Sequence, residues 1–258
     1  MFSDGQKQWI KILRLSSSFE KHKKGYKIAP RGIAFTPNGK WALVLASETG
    51  SLLIIDSVHH QQIAEVAPID DKLFNRALNL RHIVMTKDGK IAYLSHMRGN
   101  SVSRINVEKL IELVERSQAS HQKVLPASTW DEILIPFSNG KKLLVLEEYP
   151  SDHPNFANRT WPLAHPNTIV LDPVENRYLY VSHRTTSNKN YEIFDPKIKG
   201  KIDIIDTSIG KVIFSLVGGA QPTALEVSPD NKTLMSAGFK DDQLYFFDLD
   251  KILSIYRQ

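Results

Sequence analysis

Residues 31–68 read RGIAFTPNGKWALVLASETGSLLIIDSVHHQQIAEVAP and contain four short apolar runs. The runs are rich in Ile, Val, Leu and Phe, and turn residues such as Asn38 and Gly39 separate them. Short apolar runs bounded by turn residues are typical of antiparallel β-strands joined by tight turns. The stretch therefore predicts a sheet of four antiparallel strands.

The same pattern recurs along the chain with a regular spacing. From the first turn to the end of the third strand there are 17 residues in three units: Gly39 to Asp56, Gly89 to Asn106 and Asn231 to Asp248. In a fourth unit, from Asn176 to Asp206, the same interval is 30 residues, which indicates an insertion of 13 residues after His183. Repetition of this kind predicts a repeat architecture.

We predict one all-β domain over residues 1–258, built from a partial unit and five fuller ones: about 1–30, 31–68, 81–116, 117–164, 165–219 and 221–258. Fourth strands are predicted at KLIELVER (109–116) in the second full unit and at KILSIYR (251–257) in the last. The unit at 117–164 is irregular, because the run PSDHPNFANRTWPLAHP contains four prolines. Proline lacks the N–H donor that a central strand needs.

Four-stranded repeats that cannot bury both faces alone are typical of a β-propeller, whose sheets pack face to face around a central channel. The turns TPNGK, TKDGK and SPDNK, the strand ends YLSH and YVSH, and the third-strand ends IID, RIN and FFD resemble the YVTN-type repeats of bacterial and archaeal surface or periplasmic proteins. The resemblance covers about four fifths of the chain. It implies a propeller of four-stranded antiparallel blades and favours a periplasmic or extracellular location.

About five blades are visible in the sequence, which is fewer than most closed propellers have. Three explanations remain open: a compact five-bladed ring, a piece of a longer protein, and a ring that a partner completes. An incomplete ring exposes apolar faces and strand edges, so self-association is expected in that case.

The resemblance also places a set of basic side chains at one face of the propeller. The Asn of the YVTN strand end corresponds to Ala46, His96, His183 and Gly238. Loops that enter the first strands share this face, so seven side chains are expected there: Arg31, Arg81, His96, Arg98, His165, His183 and Arg184. Together they predict a basic mouth on the channel that binds a carboxylate or phosphate, because Arg offers paired donors to such groups. A competing interpretation makes each histidine a hydrogen-bonded loop anchor.

Composition and motifs exclude several classes of function. The net charge is +5. The sequence has no Cys, and this excludes disulfides, thiolate metal sites and cysteine catalysis. The sequence has no apolar run long enough for a transmembrane helix, and its opening residues lack the pattern of a signal peptide. The basic run at residues 21–27 has too few interleaved aromatics to indicate nucleic-acid binding. No nucleophile elbow, HExxH pair, EF-hand loop or dinucleotide fingerprint occurs. We predict no metal site and interpret the series Asp56, Asp206 and Asp248 as turn caps.

Two hypotheses of different classes follow. The first is a non-enzymatic scaffold, without a cofactor, that binds a protein partner or a small anionic ligand on its loop face at the cell envelope. The second is a redox or cofactor-associated propeller, since the repeats are similar to those of the d1-haem domain of nitrite reductase and the amine dehydrogenase heavy chain. That resemblance implies a tetrapyrrole with His96 or His183 as its axial or proton-delivering group. The sequence does not decide the compartment or any catalytic activity.

Overall fold

The computed structural model describes six stretches of the chain: residues 12–19, 28–69, 79–97, 99–146, 165–184 and 199–256. The β-strands in these stretches form four sheets. The first sheet contains β1 (Pro30–Phe35), β2 (Trp41–Ala46), β3 (Ser51–Asp56) and β4 (Gln61–Val66), all antiparallel. The second begins with β5 (Leu80–Met85), β6 (Ile91–His96) and β7 (Ser101–Asn106).

Residues 107–146 connect and complete these two sheets. Helix α1 (Val107–Ala119) follows β7, the short strand β8 (Val124–Leu125) pairs in parallel with β4, and helix α2 (Thr129–Ile133) precedes β9 (Leu143–Val145). Strand β9 pairs antiparallel with β7 and is therefore the fourth strand of the second sheet.

The third and fourth sheets follow in chain order. The third contains β10 (Pro166–Leu171), β11 (Tyr178–His183), β12 (Lys201–Asp206) and β13 (Lys211–Val217). The fourth contains β14 (Pro222–Val227), β15 (Thr233–Gly238) and β16 (Gln243–Asp248), and helix α3 (Leu249–Tyr256) follows β16 directly. The prediction of an all-β, propeller-like fold built from antiparallel sheets is confirmed.

Consecutive sheets pack face to face through three apolar interfaces. Leu43 and Leu52 of the first sheet meet Leu94 of the second, and helix α1 closes the outer side of this interface. The second sheet meets the third through side chains such as Tyr93 and Val181. The third meets the fourth through a group of fully or nearly fully buried side chains: Tyr178, Tyr180, Ile202, Ile204, Leu225 and Leu234. Strands β2, β3, β11 and β12 are buried along their whole length because they are covered on both faces.

The first strands of the four sheets line one cavity; we call these strands the inner strands and the cavity the channel. Strands β1, β5, β10 and β14 neighbour one another in that order. The approach of β1 to β5 is so close that a Cβ atom on Gly32 would lie 2.9 Å from the Cα of His82. Only glycine fits there without moving the backbone.

Three sequence-based assignments need correction. The predicted strands at 109–116 and 251–257 are the helices α1 and α3. Helix α1 forms because its buried residues follow a helical spacing and because the Asn106 side chain accepts a hydrogen bond from the Lys109 N–H, which caps the first turn. The described part of the predicted unit 117–164 forms no separate blade, so the described strands make four sheets rather than about five.

Candidate functional site

The inner strands share one register at the end of the channel where the basic mouth was predicted. The first residue of each inner strand pairs with the last residue of the second strand in the same sheet, and a bulge or shift in register follows. The four pairs are Pro30 with Ala46, Leu80 with His96, Pro166 with His183, and Pro222 with Gly238. The next residue on each inner strand therefore occupies an equivalent position around the channel. These four residues are Arg31, Arg81, Asn167 and Thr223.

Hydrogen bonds link three of these positions. Arg81 Nε donates to Asn167 Oδ1 over 2.8 Å, and Asn167 Nδ2 donates to the carbonyl oxygen of Thr223 over 3.2 Å. Beside them, Arg184 Nη2 donates to Gln221 Oε1 over 3.1 Å. Asn167 and Thr223 were not predicted as site residues, although their place in the repeat, equivalent to Arg31 and Arg81, marks them in the sequence.

The arginines at this end of the channel act on one another electrostatically. Burial, as the largest cause, and the charges of Arg31 and Arg184 together lower the pKa of Arg81 to about 10. Burial and the charge of Arg31 also lower the pKa of Arg184. We call Arg31, Arg81 and Arg184 the arginine mouth. Like charges held together in this way favour an anion, which relieves their repulsion.

His96 does not belong to this mouth. Its ring is fully buried in the interface between the first and second sheets, and its Nε2 lies 2.7 Å from Ser103 Oγ. Burial lowers the pKa of His96 to about 3, so the ring is neutral at pH 7. The prediction that His96 projects into the mouth is wrong, because its side chain points into the sheet interface.

His183 occupies the equivalent place between the second and third sheets and is also fully buried. Its Nε2 lies 2.9 Å from Asp203 Oδ2, and Lys201 Nζ lies 2.9 Å from the same oxygen. Ser215 Oγ donates to Asp203 Oδ1 over 2.6 Å. Burial lowers the pKa of His183; for Asp203 burial acts upward, but His183, Lys201 and Ser215 lower its pKa to about 2. His183 is therefore an interface residue and not a mouth residue.

Two predicted site residues remain, His165 and Arg98. His165 is nearly fully buried, its Nδ1–H donates to the carbonyl oxygen of Met97 over 3.2 Å, and its own carbonyl oxygen accepts from the Arg184 N–H over 3.0 Å. His165 thus fixes the backbone at Arg184. Arg98 lies outside the described residues, as does most of the predicted insertion, at 185–198.

The buried histidines do not fit the axial role that the tetrapyrrole hypothesis requires. The Nε2 atoms of both His96 and His183 face side chains of their own sheets, and neither ring lines the channel cavity. That hypothesis stays a prediction without support from the site geometry. Among the described residues, no group of three or more His, Asp or Glu side chains is placed to hold a metal ion.

The aspartates at the third-strand ends act as turn caps, as predicted. Asp56 Oδ1 accepts from the N–H groups of Val58 and His59, and Asp206 Oδ1 accepts from the N–H of Ser208. Asp248 Oδ1 accepts from the N–H of Lys251 at the start of α3.

Below the arginine mouth, the inner strands line a cavity of about 710 Å³. His82 and Thr168 line its upper part, one residue after Arg81 and Asn167. The rest of the lining is mainly apolar and includes Val84, Met85, Ile169 and Leu171. The arrangement can hold an anionic group at the arginines and an apolar or uncharged part in the channel.

No family model matches the chain. A curated relative, Antigen Lp49 from Leptospira interrogans, is 26% identical over 226 residues, which is 82% of this chain and 48% of that protein. The chain thus spans about half the length of the curated relative it matches.

Two solved structures are similar in fold. A protein assigned as a 6-phosphogluconolactonase from Bacteroides uniformis has a TM-score of 0.52 and 14% identity, over 85% of this chain and 50% of that chain. The β-propeller domain of Cps50 (Swd1) from Myceliophteria thermophila has a TM-score of 0.47 and 12% identity, over 85% of this chain and 53% of that chain. In the part of the chain that the structure describes, no helix is long and apolar enough to cross a membrane. The four sheets of the described residues make this a propeller-like, all-β fold, whose inner strands bring three arginines to one end of the channel.

Proposed function

We propose that the chain is a non-enzymatic, propeller-type scaffold that binds an anionic ligand, or an acidic group of a protein partner, at the arginine mouth. The observation that carries this proposal is the gathering of Arg31, Arg81 and Arg184 at one end of the inner strands, close enough for the charge of Arg31 to help lower the pKa of both Arg81 and Arg184. Such a cluster concentrates positive potential at one opening, and guanidinium groups suit carboxylate and phosphate oxygens. Asn167, held between Arg81 and Thr223, supports the geometry of the cluster.

We also propose that the repeats are of the YVTN type and that the protein acts at the cell envelope. The turn and strand-end sequences support the repeat type. The curated relative is named an antigen, which favours a binding or scaffold role. The likeness to a 6-phosphogluconolactonase is a likeness of fold and supports no reaction.

A titration with inorganic phosphate and with citrate tests the mouth. Isothermal calorimetry at low salt should detect binding to the unmodified protein. The variant Arg81→Gln should bind about ten- to a hundredfold more weakly, because a hydrogen bond to a charged group contributes about 1.5–3 kcal/mol. Arg116→Gln carries the same charge change on the exposed surface of α1 and serves as the matched control.

The control separates a specific site from general attraction to a basic protein. Arg116→Gln should keep the affinity within about twofold of the unmodified protein, since long-range attraction alone is weak and screened by salt. Equal losses in Arg81→Gln and Arg116→Gln, or no binding of either anion, would reject the arginine mouth as the site. An absorption spectrum after incubation with haem tests the tetrapyrrole alternative separately, and uptake with a Soret band would favour it.

A further inference from the structure

Gln221 lies beside the arginine mouth, at a position that recurs around the channel. Each of the last three sheets is entered through a residue that immediately precedes its inner strand. We call these residues the entry residues; they are Asn79, His165 and Gln221. In each case the backbone carbonyl oxygen accepts a hydrogen bond from the N–H of the residue that follows the second strand of the same sheet. The three entry residues are therefore structurally equivalent.

The side chains of the entry residues link consecutive sheets. Asn79 Oδ1 accepts from Ser47 Oγ over 2.6 Å, and His165 Nδ1 donates over 3.2 Å to the carbonyl oxygen of the residue after β6. Gln221 follows the same pattern with a charged partner, since its Oε1 accepts from Arg184 Nη2 over 3.1 Å. A guanidinium group has donors and no acceptor, so it requires the amide oxygen. Arg184 therefore fixes the orientation of the Gln221 amide.

The nitrogen of the same amide is left with its donors. Gln221 is 2% exposed, and its Nε2 is buried without a hydrogen-bond partner among the described residues. Leaving a buried donor unsatisfied costs free energy, so such a group in a folded protein calls for a partner. Because Nε2 belongs to the amide that contacts the Arg184 guanidinium, an anion bound to that guanidinium lies next to Nε2.

We propose that Gln221 is a ligand-binding residue, whose Nε2–H donates a hydrogen bond to a carboxylate or phosphate oxygen of the anion at the arginine mouth. This role rests on the proposed function of the mouth. Arg184 follows the second strand of the third sheet, and Gln221 enters the fourth. The bound anion thus bridges two neighbouring sheets, and the donor that the fold leaves without a partner is used when the anion binds.

Gln221→Met tests this role in the calorimetric titration with inorganic phosphate and citrate, because methionine keeps an unbranched side chain and removes both polar atoms of the amide. The variant should bind each anion about ten- to a hundredfold more weakly, since a hydrogen bond to a charged group is lost. Asn79→Leu removes the equivalent link between the first and second sheets and is the matched control. It should keep the affinity within about twofold. An equal loss in Asn79→Leu would mean that loosening of the sheets, and not the lost donor, weakens binding.

A double-mutant cycle with Arg184→Met separates direct contact with the anion from positioning of Arg184. If Gln221 itself donates to the anion, Gln221→Met should weaken phosphate binding at least several-fold in the Arg184→Met background too. No further loss in that background would show that Gln221 acts only by positioning Arg184, and would overturn the proposal. Full affinity in the single variant Gln221→Met would also overturn it.

Two further measurements keep the outcome decisive. Circular dichroism shows whether Gln221→Met folds; if it does not, Gln221→Glu keeps an acceptor for Arg184 and places a carboxylate where the donor was. Phosphate binding should then be lost, and binding retained in Gln221→Glu would reject the contact. If Arg81→Gln weakens binding and Gln221→Met does not, the mouth stands and only the role of Gln221 falls. If the unmodified protein binds neither anion, both fall.

Discussion

His183 and Arg184 are consecutive in the chain, yet they belong to two different regions. His183 is fully buried between the second and third sheets, beside Asp203 and Lys201, whereas Arg184 lies at the arginine mouth with Gln221. In the first region opposite charges are paired in the interior. In the second, like charges are gathered at an opening. Successive residues at a strand end point to opposite sides, so one short segment serves both regions.

The strand-end histidines thus hold the sheets together, and the arginines alone form the mouth. We call His96 with Ser103, and His183 with Asp203, the interface pairs. They occupy equivalent positions in consecutive sheets, but one partner is a hydroxyl and the other a carboxylate. Substitutions in the interface pairs should therefore reduce stability and spare anion binding, while substitutions in the mouth should do the reverse.

The largest effect is expected for Asp203→Ala. This change leaves the nearly buried ammonium group of Lys201 without the carboxylate 2.9 Å away, and breaking one side of a buried ion pair costs about 3–5 kcal/mol. Urea denaturation measures the loss. Asp131→Ala removes the carboxylate of an exposed pair with Lys142 and should cost less than about 1 kcal/mol. Equal losses in the two variants would contradict the interior role of Asp203.

A somewhat smaller effect should appear as a pH dependence at His96. Because burial lowers its pKa to about 3 in the folded chain, the unfolded chain takes up a proton below about pH 6.5 that the folded chain does not. The free energy of unfolding is therefore highest above pH 6.5 and decreases as the pH falls towards 3. Between pH 7 and pH 5 the loss is about 2 kcal/mol.

His96→Gln tests this dependence, since glutamine does not titrate. Urea denaturation at pH 7 and pH 5 gives the change in the free energy of unfolding between the two pH values. This change should be smaller in the variant than in the unmodified protein, by about 2 kcal/mol. Ser103→Ala keeps the imidazole and should keep the pH dependence, which makes it the control. A pH dependence unchanged in His96→Gln would show that the ring is accessible to protons in the folded state.

At pH 7, Ser103→Ala should cost about 1 kcal/mol, the usual contribution of a hydrogen bond within a protein. The loss arises because His96 Nε2 then has no hydroxyl at 2.7 Å in a fully buried interface. Thermal or urea denaturation measures it. If Ser103→Ala lost as much free energy of unfolding as Asp203→Ala, the hydroxyl and the ionised partner would stabilise the fold equally. The two interface pairs would then not differ in strength.

Much of the sheet architecture was predictable because turn chemistry is local. Gly39, Gly89 and Gly140 all have positive φ, and Asp56, Asn106, Asp206 and Asp248 end their strands as the spacing predicted. The helix α1 was not predicted, because KLIELVER is apolar enough to resemble a strand. Its helical spacing and the capping Asn106 were present in the sequence, and they decide the structure together with the buried face that α1 adds to the first interface.

The candidate site was predicted less well, for a physical reason. The repeat identified the correct end of the strands, so Arg31, Arg81 and Arg184 could be assigned to one face. Which of two adjacent side chains turns inward depends on the packing of neighbouring sheets, which sequence spacing does not contain. His96 and His183 were therefore placed on the wrong side. Asn167 was not predicted because the predicted site was built from basic side chains and an amide is uncharged.

The smallest effect on stability is expected for Arg31→Gln, at the exposed edge of the mouth. Arg31 acts on Arg81 and Arg184 by repulsion, so removing its charge should raise the free energy of unfolding slightly, by less than about 0.5 kcal/mol. The same variant should bind phosphate at least several-fold more weakly in the calorimetric titration. Opposite signs for stability and binding are expected only of a residue held in place for a ligand. If Arg31→Gln instead lowers stability and leaves binding unchanged, Arg31 supports the fold, and the mouth is reduced to Arg81 and Arg184.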